Sequence, residues 1–143
     1  MESVRPYSVD VMDALEERGA AAVGALNAAS AELVGVIADA LVCEAWRGFN
    51  SPEHWIAVRF GLGPQRARRY VAAARALAVL PKCRAAYGNG EVSEDHIATI
   101  VNAQVTAHHD REVLELARAA TVGQLRHALK SWPRQPEPEA KPD

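Results

Sequence analysis

The chain has 143 residues, 49% hydrophobic and 6% aromatic, with two cysteines and a formal net charge of -2. That length supports one domain with a modest core, and the Ala-rich, aromatic-poor balance excludes a disordered chain or an all-β one. Cys43 and Cys83 lie far apart with no CxxC pair and no signal peptide, so both read as small buried apolar residues in a reducing cytoplasm.

Apolar residues recur at helical spacing almost throughout. The spacing predicts a first helix over about 9–18 and a second over about 27–47. The second is striped by Leu33, Val34, Ile37, Ala38 and Leu41 and ended by Gly48. The most apolar run, 20–43, contains Asn27, Ser30, Glu32 and Asp39, so no membrane crossing is expected there. Ser51-Pro52 reads as an N-cap followed by proline in the first turn, where a missing N–H costs nothing. Gly63-Pro64 repeats the device. Pro81 separates a long helix, QRARRYVAAARALAVL, from a short one ending at GNG, residues 88–90. Ser93 is expected to cap a helix with Ile97, Ile100, Val101 and Val105 inward. Asp110 is expected to cap the next, through Val113, Leu114 and Ala117. Thr121 with Gln124 three residues on is a capping box opening a last helix to about Trp132. Residues 133–143, PRQPEPEAKPD after Trp132, are proline-rich and charged and read as a disordered tail or linker. The expectation is one all-α domain over 1–132 with six to eight helices.

The net charge conceals a split. Residues 47–84 hold eight basic side chains (Arg47, Arg59, Arg66, Arg68, Arg69, Arg75, Lys82 and Arg84) and one acid, Glu53. This leaves +7 in 38 residues and -9 in the other 105. Such an asymmetry suits a local surface that faces a polyanion, or one that solubilises a long helix. Within it, WIAVRFGLGPQRARRY joins two helical patterns at GLGP. Gly61 supplies the turn, and Ala57 lies one helical turn back on the same face. Ile56, Phe60, Leu62, Ala67 and Tyr70 take the remaining inward positions. This spacing resembles a helix-turn-helix over about 52–79.

On a wheel of 100° per residue, Ala67, Tyr70, Val71, Ala74 and Ala78 face the core. Gln65, Arg68, Arg69, Ala72 and Ala76 point away, flanked by Arg75. Gln on adenine and Arg on guanine are favoured edge contacts in the major groove. The expected partner is therefore duplex DNA, contacted by Gln65, Arg66, Arg68, Arg69 and Arg75, with Arg59, Arg47, Lys82 and Arg84 placed for phosphates. The alternative is a protein-interaction module in which the basic face docks an acidic partner or the acidic half of a second copy, giving a homo-oligomer.

The segment GFNSPEHWIAVRFGLGPQRARRYVAAARALAVLPKCRAAYGNGEVSEDHIATIV resembles the core of the 13E12 repeat family, an actinobacterial domain of unknown function that usually precedes an HNH endonuclease module. Ser51, Trp55-Ile56-Ala57, Arg59, Gly61-Leu62, Ala67-Arg68-Arg69, Ala74, Leu77, Leu80-Pro81, Gly90-Glu91, Ser93 and His96 carry the likeness. It extends more weakly over about 15–132. The resemblance implies an all-helical, DNA-associated domain. The family's small polar residue before PxxA is Gly63 here, which removes a side-chain cap from the second helix.

The residues themselves offer no nuclease. An HNH centre sets His and Asp around a metal on a ββα hairpin, with an Asn bracing the first His. His96 instead sits at helical spacing with Ile97, Ile100 and Val101, and Asn102 is one and a half turns on. His108 and His109 are adjacent and need not face one site. GxSxG, HExxH and a phosphate-binding glycine loop are absent. The sequence reading is thus non-catalytic and cytoplasmic, with no metal, small-molecule cofactor or membrane partner; a further alternative is part of an HNH nuclease with the catalytic module missing.

Overall fold

The computed structural model describes residues 8–133. All of the expected 133–143 tail but Pro133 lies outside the described residues. Seven α-helices and one 3-10 turn make up the described part, in agreement with the all-α expectation.

Helix α1 runs unbroken over Val9–Cys43, where the spacing predicted two helices. Nothing between Arg18 and Asn27 breaks it. Gly19 and Gly24 each cost about 1 kcal/mol relative to alanine, but Ala20, Ala21, Ala22 and Ala25 carry the turn through them. The helix ends four residues before the predicted 47. Glu44 turns into the left-handed region at φ 55° and donates its N–H to the Ala40 carbonyl. Cys43, expected to be buried, is exposed at that end, while Cys83 is buried; both are free thiols.

Helix α2 spans Pro52–Phe60, capped by Ser51 Oγ, which accepts the His54 N–H at 3.1 Å. Gly61 closes it at φ 72°, donating to the Ala57 carbonyl at 3.1 Å. A side chain there would cost about 1–2 kcal/mol, so glycine fits the turn. Helix α3, Pro64–Leu77, starts after Gly63 without a side-chain cap. It buries Ala67, Tyr70, Val71, Ala73, Ala74 and Leu77. Ala78, placed inward on the wheel, is exposed at the helix end, and Ala73 and Leu77 widen the buried arc in its place. Helix α3 is the hub of the fold and touches α1, α2, the following α4 (Pro81–Gly88) and α5 (Glu94–Asn102).

The 3-10 turn, Ala107–His109, leads into α6, Asp110–Ala119, and α7 covers Val122–Leu129. The capping box forms as expected: Thr121 Oγ1 accepts the Gln124 N–H at 3.2 Å, and Gln124 Oε1 accepts the Thr121 N–H at 2.9 Å. Asp110 does not cap its own helix. Its buried carboxylate reaches across to α4 and accepts the N–H groups of Lys82 at 2.8 Å and Cys83 at 3.0 Å. The first turn of α4 has no cap of its own, and the carboxylate answers both its open donors and its dipole.

Only the second half of α1 joins the core, through Ser30, Val34, Ile37 and Ala40. Residues 9–26 are exposed without exception. By length and composition alone α1 is apolar enough to cross a bilayer, contrary to the expectation from its four polar residues. Only 17% of its most apolar window is buried in the fold.

Candidate functional site

The basic side chains divide by where the helices put them. At 100° per residue, Gln65, Arg68, Arg69, Ala72 and Arg75 of α3 share an arc of about 120°, opposite the buried face. All five are exposed. Arg66 falls on the flank, its guanidinium 5.8 Å from the centre of the Tyr70 ring. Arg59 of α2 lies 5.6 Å over the Phe49 ring. Lys82 and Arg84 are exposed on α4. Arg47, in the turn after α1, is tied to Glu44 at 2.6 Å.

Among the described residues the only other ion pair is Arg118–Glu91, at 2.8 Å. The α3 arginines therefore have no carboxylate partner within the described fold. Exposed arginines held without counter-charge form a ready surface for an anion.

A groove of about 470 Å³ runs along α3 and brings three of the nine expected residues together: Gln65, Arg68 and Arg69. The other six do not line it. Across from these donors stand Glu94, Asp95 and Asn102 of α5, which the sequence reading did not place in the site. The floor is apolar, with Val34, Ile97 and Val101, and is edged by Tyr70 and Tyr87.

Polar bonds lock this floor. Tyr70 donates its hydroxyl proton to Glu94 Oε1 at 2.9 Å, and the Glu94 N–H donates to Asn27 Oδ1 at 2.9 Å. The buried Ser30 and Tyr87 hydroxyls bond to each other. Burial, and then the neighbouring Glu94 and Tyr70, push the Tyr87 phenol well above its ordinary range. One signal for this network was present in the sequence. Asn27 and Ser30 are one turn apart on the face that carries Val34, and buried hydroxyls and amides need partners.

Two of the histidines serve the fold. The ring of His96 bonds Ser93 Oγ through Nδ1 at 2.6 Å and the Ala120 carbonyl through Nε2 at 2.8 Å. It thereby ties α5 to the α6–α7 junction. His109 Nδ1 bonds Thr106 Oγ1 at 2.8 Å, and its ring meets Trp132 edge-on at 5.5 Å. Trp55 packs against the core, its ring edge-on to Phe60 at 5.2 Å. Cys83 is held protonated by burial, with the Asp110 hydrogen bond and charge adding to the effect, so it is no nucleophile. No group of three His, Cys, Asp or Glu among the described residues is arranged to hold a metal.

Compared with known proteins, residues 13–140 match the family model described as Domain of unknown function (DUF222). No curated protein and no solved structure matches the chain.

Proposed function

The chain belongs to the DUF222 family, and within it we propose a non-catalytic role: binding duplex DNA through the exposed arc of α3. The observation that carries this reading is the arc itself. Gln65, Arg68, Arg69 and Arg75 stand side by side in solvent with no acidic partner among the described residues. Ala72 between them keeps the helix surface low enough to approach a groove. Helix α2, the glycine-closed turn and α3 act together as a helix-turn-helix-like unit, with α3 entering the major groove. Arg59, Lys82 and Arg84 grip phosphates to the sides, and Arg47 joins them by exchanging Glu44 for a phosphate. The likeness to the 13E12 repeat family supports the same reading, in which such a domain delivers an HNH nuclease to cytoplasmic DNA.

Fluorescence anisotropy with a random-sequence duplex tests it. If one copy neutralises about four to six phosphates, log affinity falls against log salt with a slope of roughly -4 to -5. Arg68→Ala/Arg69→Ala should abolish most of the binding while the helical CD signal stays intact. Affinity that ignores salt, or ignores those arginines, refutes the proposal.

The groove favours a second reading. Its apolar floor and mixed rim suit an amphipathic, partly acidic protein segment whose carboxylates meet Arg68 and Arg69. Binding of an acidic helical peptide, lost in the same double variant while duplex DNA fails to bind, would select it.

A further inference from the structure

The first half of α1 leaves the body of the protein as a bare helix. Residues 9–26 are all exposed, a rod of about 27 Å, yet they carry large apolar side chains. Met12, Leu15, Val23 and Leu26 are 40–54% exposed. At 100° per residue these four fall within about 40° of Gly19 on one stripe. The same stripe continues into Ser30 and Ile37, where the protein buries it. The core-facing stripe thus runs past the edge of the core into water.

The stripe is symmetric about Gly19. Leu15 and Val23 stand four residues to either side, and Met12 and Leu26 stand seven. We propose that two copies of this chain pair through residues 9–26 of α1, antiparallel, with the two-fold axis at Gly19. In that register Leu15 packs on the partner's Val23 and Met12 on the partner's Leu26. Gly19 meets the partner's Gly19, where the missing side chains let the helices cross closely. A two-fold interface demands this self-complementarity, and an unrelated partner does not.

Charge selects the antiparallel sense. Asp10, Asp13, Glu16 and Glu17 crowd the free end against a single base, Arg18. Parallel pairing would set the two acidic clusters side by side. Antiparallel pairing lays each along the partner's Ala20–Ala22, Ala25 and Ala28, with the clusters about 15 Å apart and largely screened. Pairing also accounts for an 18-residue overhang that contains two glycines, since short helices in water hold poorly on propensity alone.

The inference stands apart from the DNA reading, because its test uses the whole chain without DNA. Sedimentation equilibrium is expected to give twice 15.4 kDa at low and at high salt, since the contact is apolar. Leu15→Asp/Val23→Asp should raise the dimer dissociation constant about 100-fold or more. Those residues touch no core, so the unfolding midpoint extrapolated to the monomer stays put. In a Cys43→Ser background, oxidised Gly19→Cys should cross-link to itself, and Met12→Cys should cross-link to Leu26→Cys. A monomer at high micromolar concentration overturns the proposal, including one that sediments with lipid vesicles. So does a dimer that survives both aspartates, or Met12→Cys linking to itself as a parallel pair would.

Discussion

Replacing Asp110 by alanine tests how this fold holds its α4 helix. Asp110 is 6% exposed and accepts two backbone N–H groups at the start of α4, at 2.8 and 3.0 Å. The variant deletes a carboxylate that answers the helix dipole and leaves the Cys83 N–H buried without a partner. Hydrogen bonds to a charged group contribute about 1.5–3 kcal/mol each, and losing an N-cap typically costs about 1 kcal/mol. The two bonds share one acceptor group and are not additive, so the expected loss is about 2–4 kcal/mol. Asp110→Asn keeps an acceptor oxygen but not the charge and should lose about half as much. Urea denaturation followed by CD reads both variants, with the slope m unchanged if only stability moves. A loss under about 0.5 kcal/mol for the alanine variant would refute the capping argument, because a surface substitution does no more than that.

Three further outcomes follow from buried or opposing groups. Ser30→Ala or Tyr87→Phe alone should cost about 1–3 kcal/mol by stranding the other hydroxyl. The double variant should cost less than the sum, and additivity in a double-mutant cycle would deny the bond. Cys83 and Tyr87 both have raised pKa values in the fold, so the unfolded chain sheds their protons first. Stability is then full below about pH 8.5 and falls as pH rises, by up to about 1.4 kcal/mol per pH unit for each group. Urea midpoints at pH 7, 9 and 10.5 check this, and Tyr87→Phe should flatten the upper part. Asp95→Asn, which removes an exposed carboxylate from the groove rim, should raise affinity for duplex DNA several-fold at low salt and leave the urea midpoint in place. Unchanged affinity would place the duplex away from that rim.

Local signals in the sequence located most elements, because caps and breakers act within a few residues. Ser51, Gly61, Pro64, Pro81, Ser93 and the Thr121–Gln124 box each mark a boundary the structure keeps. The failures were of range. The spacing marks two helices over 9–18 and 27–47 where α1 runs through, because the penalty of Gly19 and Gly24 is smaller than the alanines around them offset. Asp110 reads as the cap of the nearest helix start, yet the donors it meets are 27 and 28 residues away in the chain. The basic arc of α3 followed from period alone. Its opposing wall did not, since Glu94 and Asp95 reach the site only through the packing of α5 on α3. The exposed stretch of α1 is apolar on its inner stripe, so periodicity could not tell a buried stripe from one that overhangs.

The same packing sets limits on how α3 can meet a polyanion. Glu94 and Asp95 line the same groove as Gln65, Arg68 and Arg69, so phosphates laid in it would face like charge. Arg75 shares the exposed arc but lies outside the groove, and Arg68 sits 20° from it on the wheel. Under the DNA proposal, a duplex approaching from the open side would meet Arg75 and Arg68 first, with Gln65 and Arg69 nearer the carboxylate rim. A peptide that takes the groove side instead exploits both signs of charge and the apolar floor. The carboxylates of α5 would then help to discriminate between the two proposed ligands. Under the proposals above, they would weaken nucleic acid on the groove flank and leave the Arg75 flank free of carboxylates, with Arg68 shared between the two readings.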